Sequence, residues 1–204
     1  MEPFYNPPLV EEWVSDTFIK AGIFLPSDIR ADNLCRAFGI EYGGYYGISG
    51  AKIIGHIPYI AVDSRIEYTE QHEQFLHELG HVLRHYGDQT NMPQSMREYQ
   101  EWDANLFAMY AAIPFHMIDF SKPYTVGSLM KDFTVTENIA TKRIRDIRAK
   151  IYWESKRQYE EMVCEPTPPA YDLSEKSPET QRIMHQLKDQ LERKGERLEI
   201  HDLL

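Results

Sequence analysis

The apolar positions near the N-terminus recur at helical spacing. Val10, Trp13, Val14 and Phe18 share one stripe, and a second helix runs from Ser27 through Leu34, Cys35 and Phe38 to a stop at Gly39. From Ile40 to Asp63 the period shortens and β-branched or aromatic residues dominate. Glycines at 43, 44, 47, 50 and 55 mark turns or bulges between short strands, the last reading Tyr59-Ile60-Ala61-Val62. From Ser64 to about Tyr159 the pattern is mostly helical again. Glu165-Pro166-Thr167-Pro168-Pro169 then breaks it, and a polar linker leads to a last helix opening near Ser177-Pro178. That helix carries Ile183, Met184, Leu187 and Leu191 on one stripe, with Gly195 near its end; it either folds back on the body or acts as a docking arm. No internal repeat is visible. The pattern predicts an α+β chain with a small sheet, divided into residues 1–121, a helical module over 122–163, a proline-rich linker over 164–177 and a C-terminal helix over 178–204.

Composition narrows the class. With 42% hydrophobic and 26% charged residues, a wholly disordered, collagen-like or fibrous chain is excluded. A formal charge of −10 argues against nonspecific nucleic-acid binding by the whole molecule. The nearest approach to a membrane span, Leu106 to Phe120, is broken by Pro114, His116 and Asp119. The opening residues Glu2, Pro3, Pro7 and Pro8 lack a basic and then apolar run, so no secretory signal is expected. Cys35 and Cys164 lie 129 positions apart without C-x-x-C spacing, which suits a reducing compartment and reads Cys35 as a small core residue. The expectation is a cytoplasmic protein without membrane contact.

One motif carries chemistry. His77-Glu78-Leu79-Gly80-His81 is an H-E-x-x-H, and two histidines at i and i+4 on a helix can meet one metal ion. The intervening glutamate can then remove a proton from an activated water. Taking His77 as zero, His81 falls near 40°, His85 near 80° and Glu78 near 100° around a helix, whereas Phe75, Leu79, Val82, Leu83 and Tyr86 fall at about 140–240°. One face is apolar and the other bears His and Glu, as a wall between core and cleft requires.

A catalytic metal site needs a third protein ligand and an open position. The extended pattern H-E-x-x-H-x-x-G-x-x-H is excluded, because Arg84 and Gly87 stand where it needs Gly and His. The next predicted helix starts with Ser95-Met96-Arg97-Glu98, which resembles a capping box. On it, Ala104, Asn105, Ala108 and Ala112 lie within about 60° of Glu101. A face of alanines lets two helices approach closely, and Glu101 projects from that face. Asp103, about 160° away, and Glu98, in the first turn, are the other candidates.

These residues resemble the ImmA/IrrE metallo-endopeptidases. Phe75-Leu76-His77-Glu78-Leu79-Gly80-His81-Val82-Leu83-Arg84-His85 looks like that family's metal helix. Glu101-Trp102-Asp103-Ala104-Asn105-Leu106-Phe107-Ala108, followed by Ile113-Pro114, resembles its E-x-[EQ]-A-N-x-F-A…P block, with Asp103 in place of the usual Glu or Gln. The resemblance spans about residues 8–150; the tail after Cys164 matches nothing comparable. It implies a zincin-like fold and a gluzincin-like Zn2+ site with His77, His81 and Glu101 as ligands and Glu78 as general base. It further implies action on a helix-turn-helix transcriptional repressor in a phage, mobile-element or bacterial regulatory setting. Asn105 and His85 are the candidates to hydrogen-bond a ligand histidine from behind. His116, Tyr99, Tyr110 and His85 are candidates to stabilise an oxyanion, while His56, His72, His185 and His201 read as surface or structural residues.

A second, weaker signal lies downstream. Ser128 to Thr136, leading into Ala140, Arg143, Ile144 and Ile147, resembles the tail half of a helix-turn-helix. From Lys142 to Arg157 seven basic residues stand against Asp146 and Glu154, a local charge of +5. That stretch could bind DNA or the acidic surface of a repressor; it also reads as a solvated helix packed through Ile144, Ile147, Ile151 and Tyr152. Two functions therefore compete: a zinc endopeptidase that cleaves a repressor, and a regulator that sequesters a repressor or binds DNA without cutting.

Overall fold

The computed structural model describes residues 5–85, 92–163 and 177–194. Tyr86, Gly87, Cys164, the linker residues 164–176, Gly195, His201 and the end of the expected C-terminal helix lie outside the described residues. The described chain is α+β, mostly helical with one small sheet, as its periodicities require.

The first helix, α1 (Leu9–Lys20), buries Val14 and Phe18. Trp13 stays at its edge, where the Arg84 guanidinium lies 5.1 Å from the indole ring. The second helix, α2 (Ala31–Phe38), starts later than the pattern suggests. Pro26–Asp28 forms a separate 3-10 turn, and the Asp28 carboxylate accepts from the backbone N–H groups of Phe24 and Leu25. Gly39 ends α2 with φ 66°, a conformation that favours glycine.

Strands β1 (Glu41–Tyr45), β2 (Gly50–Ile54) and β3 (Ile57–Asp63) form a sheet in the order β1-β3-β2. β1 runs parallel to β3, with Tyr42 opposite Ile60, and β2 runs antiparallel to it, with Ala51 opposite Ile60. A two-residue turn joins β2 to β3, and Gly55 takes φ 68° there. β2 is therefore an edge strand. The sheet packs on α3 (Tyr68–Arg84), which buries Phe75, Leu76 and Leu79. Cys35 is buried, and burial, reinforced by Asp32 and Glu41, pushes its thiol up to about 11, so it behaves as a core residue.

Helix α4 (Gln94–Ala112) makes the most extensive helix contact of the chain, with α3, and also packs on α1. It begins behind Pro93 rather than with a capping box at Ser95: the Gln94 side-chain amide donates to Glu98. A 3-10 turn (Phe115–Met117) leads to α5 (Val126–Phe133), closed by Thr134 in the left-handed region, and to α6 (Glu137–Val163). Two compact units result, 1–155 and 156–204, so the division expected at residue 121 falls inside the first. The reason is Arg143 of α6, which is fully buried: it donates to the carbonyl oxygen of Ile113 and pairs with the equally buried Glu11 of α1. Lys150 and Asp146 complete the cluster, with the Tyr5 hydroxyl donating to Glu11. In the second unit, Lys156 and Arg157 pair with Glu160 and Glu161, and α7 (Pro178–Lys194) starts where the Ser177 hydroxyl accepts from the Thr180 N–H. Ile183 is exposed on α7. No helix among the described residues is long and apolar enough to cross a membrane.

His72, on the core side of α3, is buried, and burial lowers it from 6.5 to about 4. The folded state thus holds it neutral where the unfolded chain binds a proton. Its contribution is fully present above about pH 6.5 and is lost as pH falls towards 4, at about 1.4 kcal/mol per unit. Urea unfolding from pH 7 to 5 should show a His72→Gln difference that shrinks as pH falls; a constant difference would refute this.

Candidate metal centre

The H-E-x-x-H lies in the middle of α3, and Glu101 lies in the second turn of α4. What brings them together is the absence of a side chain at residue 80. A Cβ on Gly80 would stand 2.8 Å from Cδ1 of the buried Phe107 and 3.4 Å from the Ala104 Cα. Ala104 and Ala108 are buried in the same contact. The small residues of the two helices face each other, and the alanine face carries Glu101 to the histidines as its periodicity predicts.

Three donor atoms converge. His77 Nε2 and His81 Nε2 are 3.1 Å apart, Glu101 Oε2 is 3.3 Å from the first, and Glu101 Oε1 is 3.4 Å from the second. Among the described residues this is the group of His, Cys, Asp and Glu side chains able to hold a metal ion. Ligand bonds of about 2.0–2.1 Å at tetrahedral angles put neighbouring donors about 3.3–3.4 Å apart, so the triangle has the size of one face of such a site. Burial foremost, then His77, holds His81 below its ordinary value, so its ring is neutral and has a lone pair to give.

Glu78 stands beside this triangle, facing the sheet. Burial, followed by the Glu101 carboxylate, pushes its carboxyl up to about 7, and a hydrogen bond from the Ala51 N–H partly offsets the rise. The outer edge of β2 therefore points at Glu78. A cavity of about 320 Å³ opens next to it, lined by Ile48, Ser49, Asp63, Gln74, His77 and Glu78. Its polar wall is ordered: Ser49 donates to the Gln74 side-chain oxygen and accepts from the Asp63 N–H, while Arg65 clamps the Asp63 carboxylate. No spacing in the sequence marks Ser49, Gln74 or Asp63, because a turn and the sheet register assemble them.

Behind His81 the arrangement departs from the helical projection. Helix α3 ends at Arg84, so His85 is extended (φ −111°, ψ 125°) and leaves the face on which the periodicity placed it. Its Nδ1 lies 2.9 Å from His81 Nδ1, and its Nε2 lies 3.0 Å from Asp103 Oδ2. His85 thus lies between His81 and Asp103. Asp103 is no ligand: Arg84 donates Nε to Oδ2 at 2.7 Å and Nη2 to Oδ1 at 2.9 Å. Burial alone would raise the Asp103 carboxyl; Arg84 and then His85 outweigh it, and the group sits below its ordinary value. Glu98 bonds Gln94 instead of the cluster. Asn105 departs from expectation too: its amide donates to the Glu101 carbonyl oxygen of its own helix at 2.7 Å. Of the expected oxyanion partners, Tyr110 accepts from Lys150 and His116 bonds the Ile23 carbonyl oxygen, both away from the triangle. Tyr99 is exposed and tilts against Trp102.

Residues 38–145 match the peptidase M78 family, described as the IrrE N-terminal-like domain. The chain belongs to that family. It is 30% identical over 145 residues to the uncharacterized protein YqaB of Bacillus subtilis (strain 168), covering 69% of this chain and 84% of that one. It is 29% identical over 142 residues to the phage-like element PBSX protein XkdA of the same organism, covering 66% and 71%. The ImmA/IrrE resemblance is thereby established, and with it a metallopeptidase-like role for a chain whose His77, His81 and Glu101 fit a metal.

Because Gly80 sets the helix spacing, Gly80→Ala should lower stability by about 1–3 kcal/mol through overpacking, despite the better helix propensity of alanine. It should also move Glu101 away from the two histidines and weaken metal binding. A variant with native unfolding midpoint and native affinity for added metal would show that the helices can yield.

Proposed function

We propose that the protein is a cytoplasmic zinc-dependent endopeptidase that cuts a helix-turn-helix transcriptional repressor at one site, relieving repression in a phage or mobile element. The observation that carries this reading is the triangle of His77, His81 and Glu101 with the Glu78 carboxyl beside it. Two imidazoles and one carboxylate are a donor set suited to zinc. When bound, the ion supplies Lewis acidity, polarising a peptide carbonyl and making water a stronger acid. Glu78 takes the proton from water at its carboxylate and later delivers it to the leaving amine nitrogen. A carboxyl raised to about 7 serves both steps near neutral pH. The free edge of β2 gives an extended peptide main-chain groups to pair with, and the neighbouring cavity takes a side chain. A strand edge reads the middle of a peptide, which supports cutting within a chain. The similarity to a protein of a phage-like element supports the regulatory setting.

The competing reading is a regulator that binds DNA or sequesters a repressor without cutting. Helices α5 and α6 follow one another across the short connection from Thr134 to Thr136, in the region that resembles the tail half of a helix-turn-helix. A DNA-reading motif needs the first turn of its second helix in the major groove. Here the Thr136 N–H and hydroxyl both donate to Glu73 of α3, and Ile139 and Ala140 are buried. Arg143 and Lys150 are drawn into the internal cluster. Lys142, Arg145 and Arg148 stay exposed, the two arginines beside a cleft containing Val126, Ile144 and Tyr152, which favours a protein surface over base edges.

With a repressor encoded beside the gene as substrate, Glu78→Gln should keep one zinc per chain and lose at least about 100-fold in cleavage rate. Glu101→Ala should lose the zinc itself. Undiminished cleavage by Glu78→Gln would end the mechanism. Full derepression of a reporter by that variant, with the repressor uncut, would favour sequestration.

A further inference from the structure

We propose that Asp103 acts through His85 to select the tautomer of the ligand His81, and is a positioning residue for the metal. The argument is one of proton counting along three groups in a row. To give its Nε2 lone pair to a metal, His81 must carry its proton on Nδ1. That nitrogen lies 2.9 Å from His85 Nδ1, which then has to accept. His85 is left with its proton on Nε2, aimed at Asp103 Oδ2 at 3.0 Å, an acceptor. Every donor meets an acceptor. In the opposite arrangement, with the His81 proton on Nε2, His85 would present a lone pair to the carboxylate across the same 3.0 Å, and the metal-facing nitrogen of His81 would be blocked. The fixed negative end of the row therefore favours the proton on Nδ1 of His81 from two rings away, against the Glu101 carboxylate, whose Oε1 faces Nε2 at 3.4 Å.

The anchor of the row is held as firmly as its function requires. The Asp103 side chain is 3% exposed, and Arg84 binds it through two parallel N–H···O contacts. Arg84 is in turn seated over the Trp13 ring of α1, so the far end of the row is tied to the core. Ordinary metal sites place the carboxylate directly behind the ligand histidine. Here an extra imidazole bridges the gap, which is possible because α3 stops at Arg84 and lets His85 turn inward.

The inference rests on the metal-centre reading, and the test separates the two. The full chain, stripped with chelator, is studied by histidine-ring 15N–1H correlation spectra and by zinc competition against a chromogenic chelator. Two variants are used: His85→Phe, which keeps the ring shape and leaves the Arg84–Asp103 pair intact, and Asp103→Asn. In the native protein His81 should carry its proton on Nδ1. In both variants the Nε2-protonated form should appear, and zinc affinity should fall about 10- to 100-fold. The double variant should bind zinc no more weakly than the weaker single one, since both break the same row. Urea midpoints of the stripped proteins separate this from unfolding, and His85→Phe decides if Asp103→Asn is unstable. Native His81 protonated on Nε2, or variants with native tautomer and native affinity, would overturn the proposal while leaving the zinc site standing. No zinc binding by the native protein would overturn both.

Discussion

Glu101 and the two histidines belong to different helices, so their convergence is only as accurate as the contact between α3 and α4 at Gly80. Most of that contact is made by groups with no chemistry of their own: Phe107 lies against the bare Cα, and Ala104 and Ala108 fill the remaining seam. Side chains of ordinary size would separate the helices by an ångström or more, which exceeds the tolerance of a metal–ligand bond. The glycine inside H-E-x-x-H is thus a packing residue that sets where Glu101 stands. Its place in the motif is explained by what it faces across the helix interface.

A second constraint closes the fold around that pair. Arg143 and Glu11 are both wholly buried, and Lys150, Asp146 and Tyr5 share their charges and hydrogen bonds. A buried ion pair adds little net stability, since desolvation consumes most of the attraction, but losing one partner costs about 3–5 kcal/mol. Such a cluster specifies partners more than it stabilises them. It admits the first part of α6 in one place, against α1 and the end of α4, and for that reason α5 and that part of α6 belong to the first compact unit. The same contacts use two of the cations that make the 142–157 stretch look basic, so its exposed charge is smaller than its composition suggests.

Residues governed by a single helical period were legible in the sequence. His77, His81, Glu78 and Glu101 all sit well inside α3 or α4, where 100° per residue holds, and the apolar faces behind them are the buried ones. Gly39 stopped α2 where a left-handed residue is needed. Legibility failed where an element ended. His85 lies one residue past α3, so projecting it on the helix gave the wrong face, and its contact with Asp103 could not be read from the wheel. Ser95 was read as a cap although Pro93 already starts α4, and Asn105 found an acceptor within its own helix. Ser49, Gln74 and Asp63 meet only through strand pairing, which no local pattern encodes.

The two sides of the H-E-x-x-H are therefore built to opposite specifications. On the cleft side, Glu78 faces the edge of β2 and a cavity of about 320 Å³, and burial, then Glu101, raises its carboxyl to about 7. On the core side, His81 backs onto His85, and His85 onto an Asp103 whose carboxyl Arg84 and then His85 hold below its ordinary value against burial. One α-helix can serve both because residues 78 and 81 differ by about 300°, which places their side chains on adjacent but distinct flanks. The proposed mechanism uses that separation: the group that would move protons has to be adjustable, and the group that would hold an ion does not. The H-E-x-x-H spacing provides it, and the helix end at Arg84 lets His85 turn in behind His81.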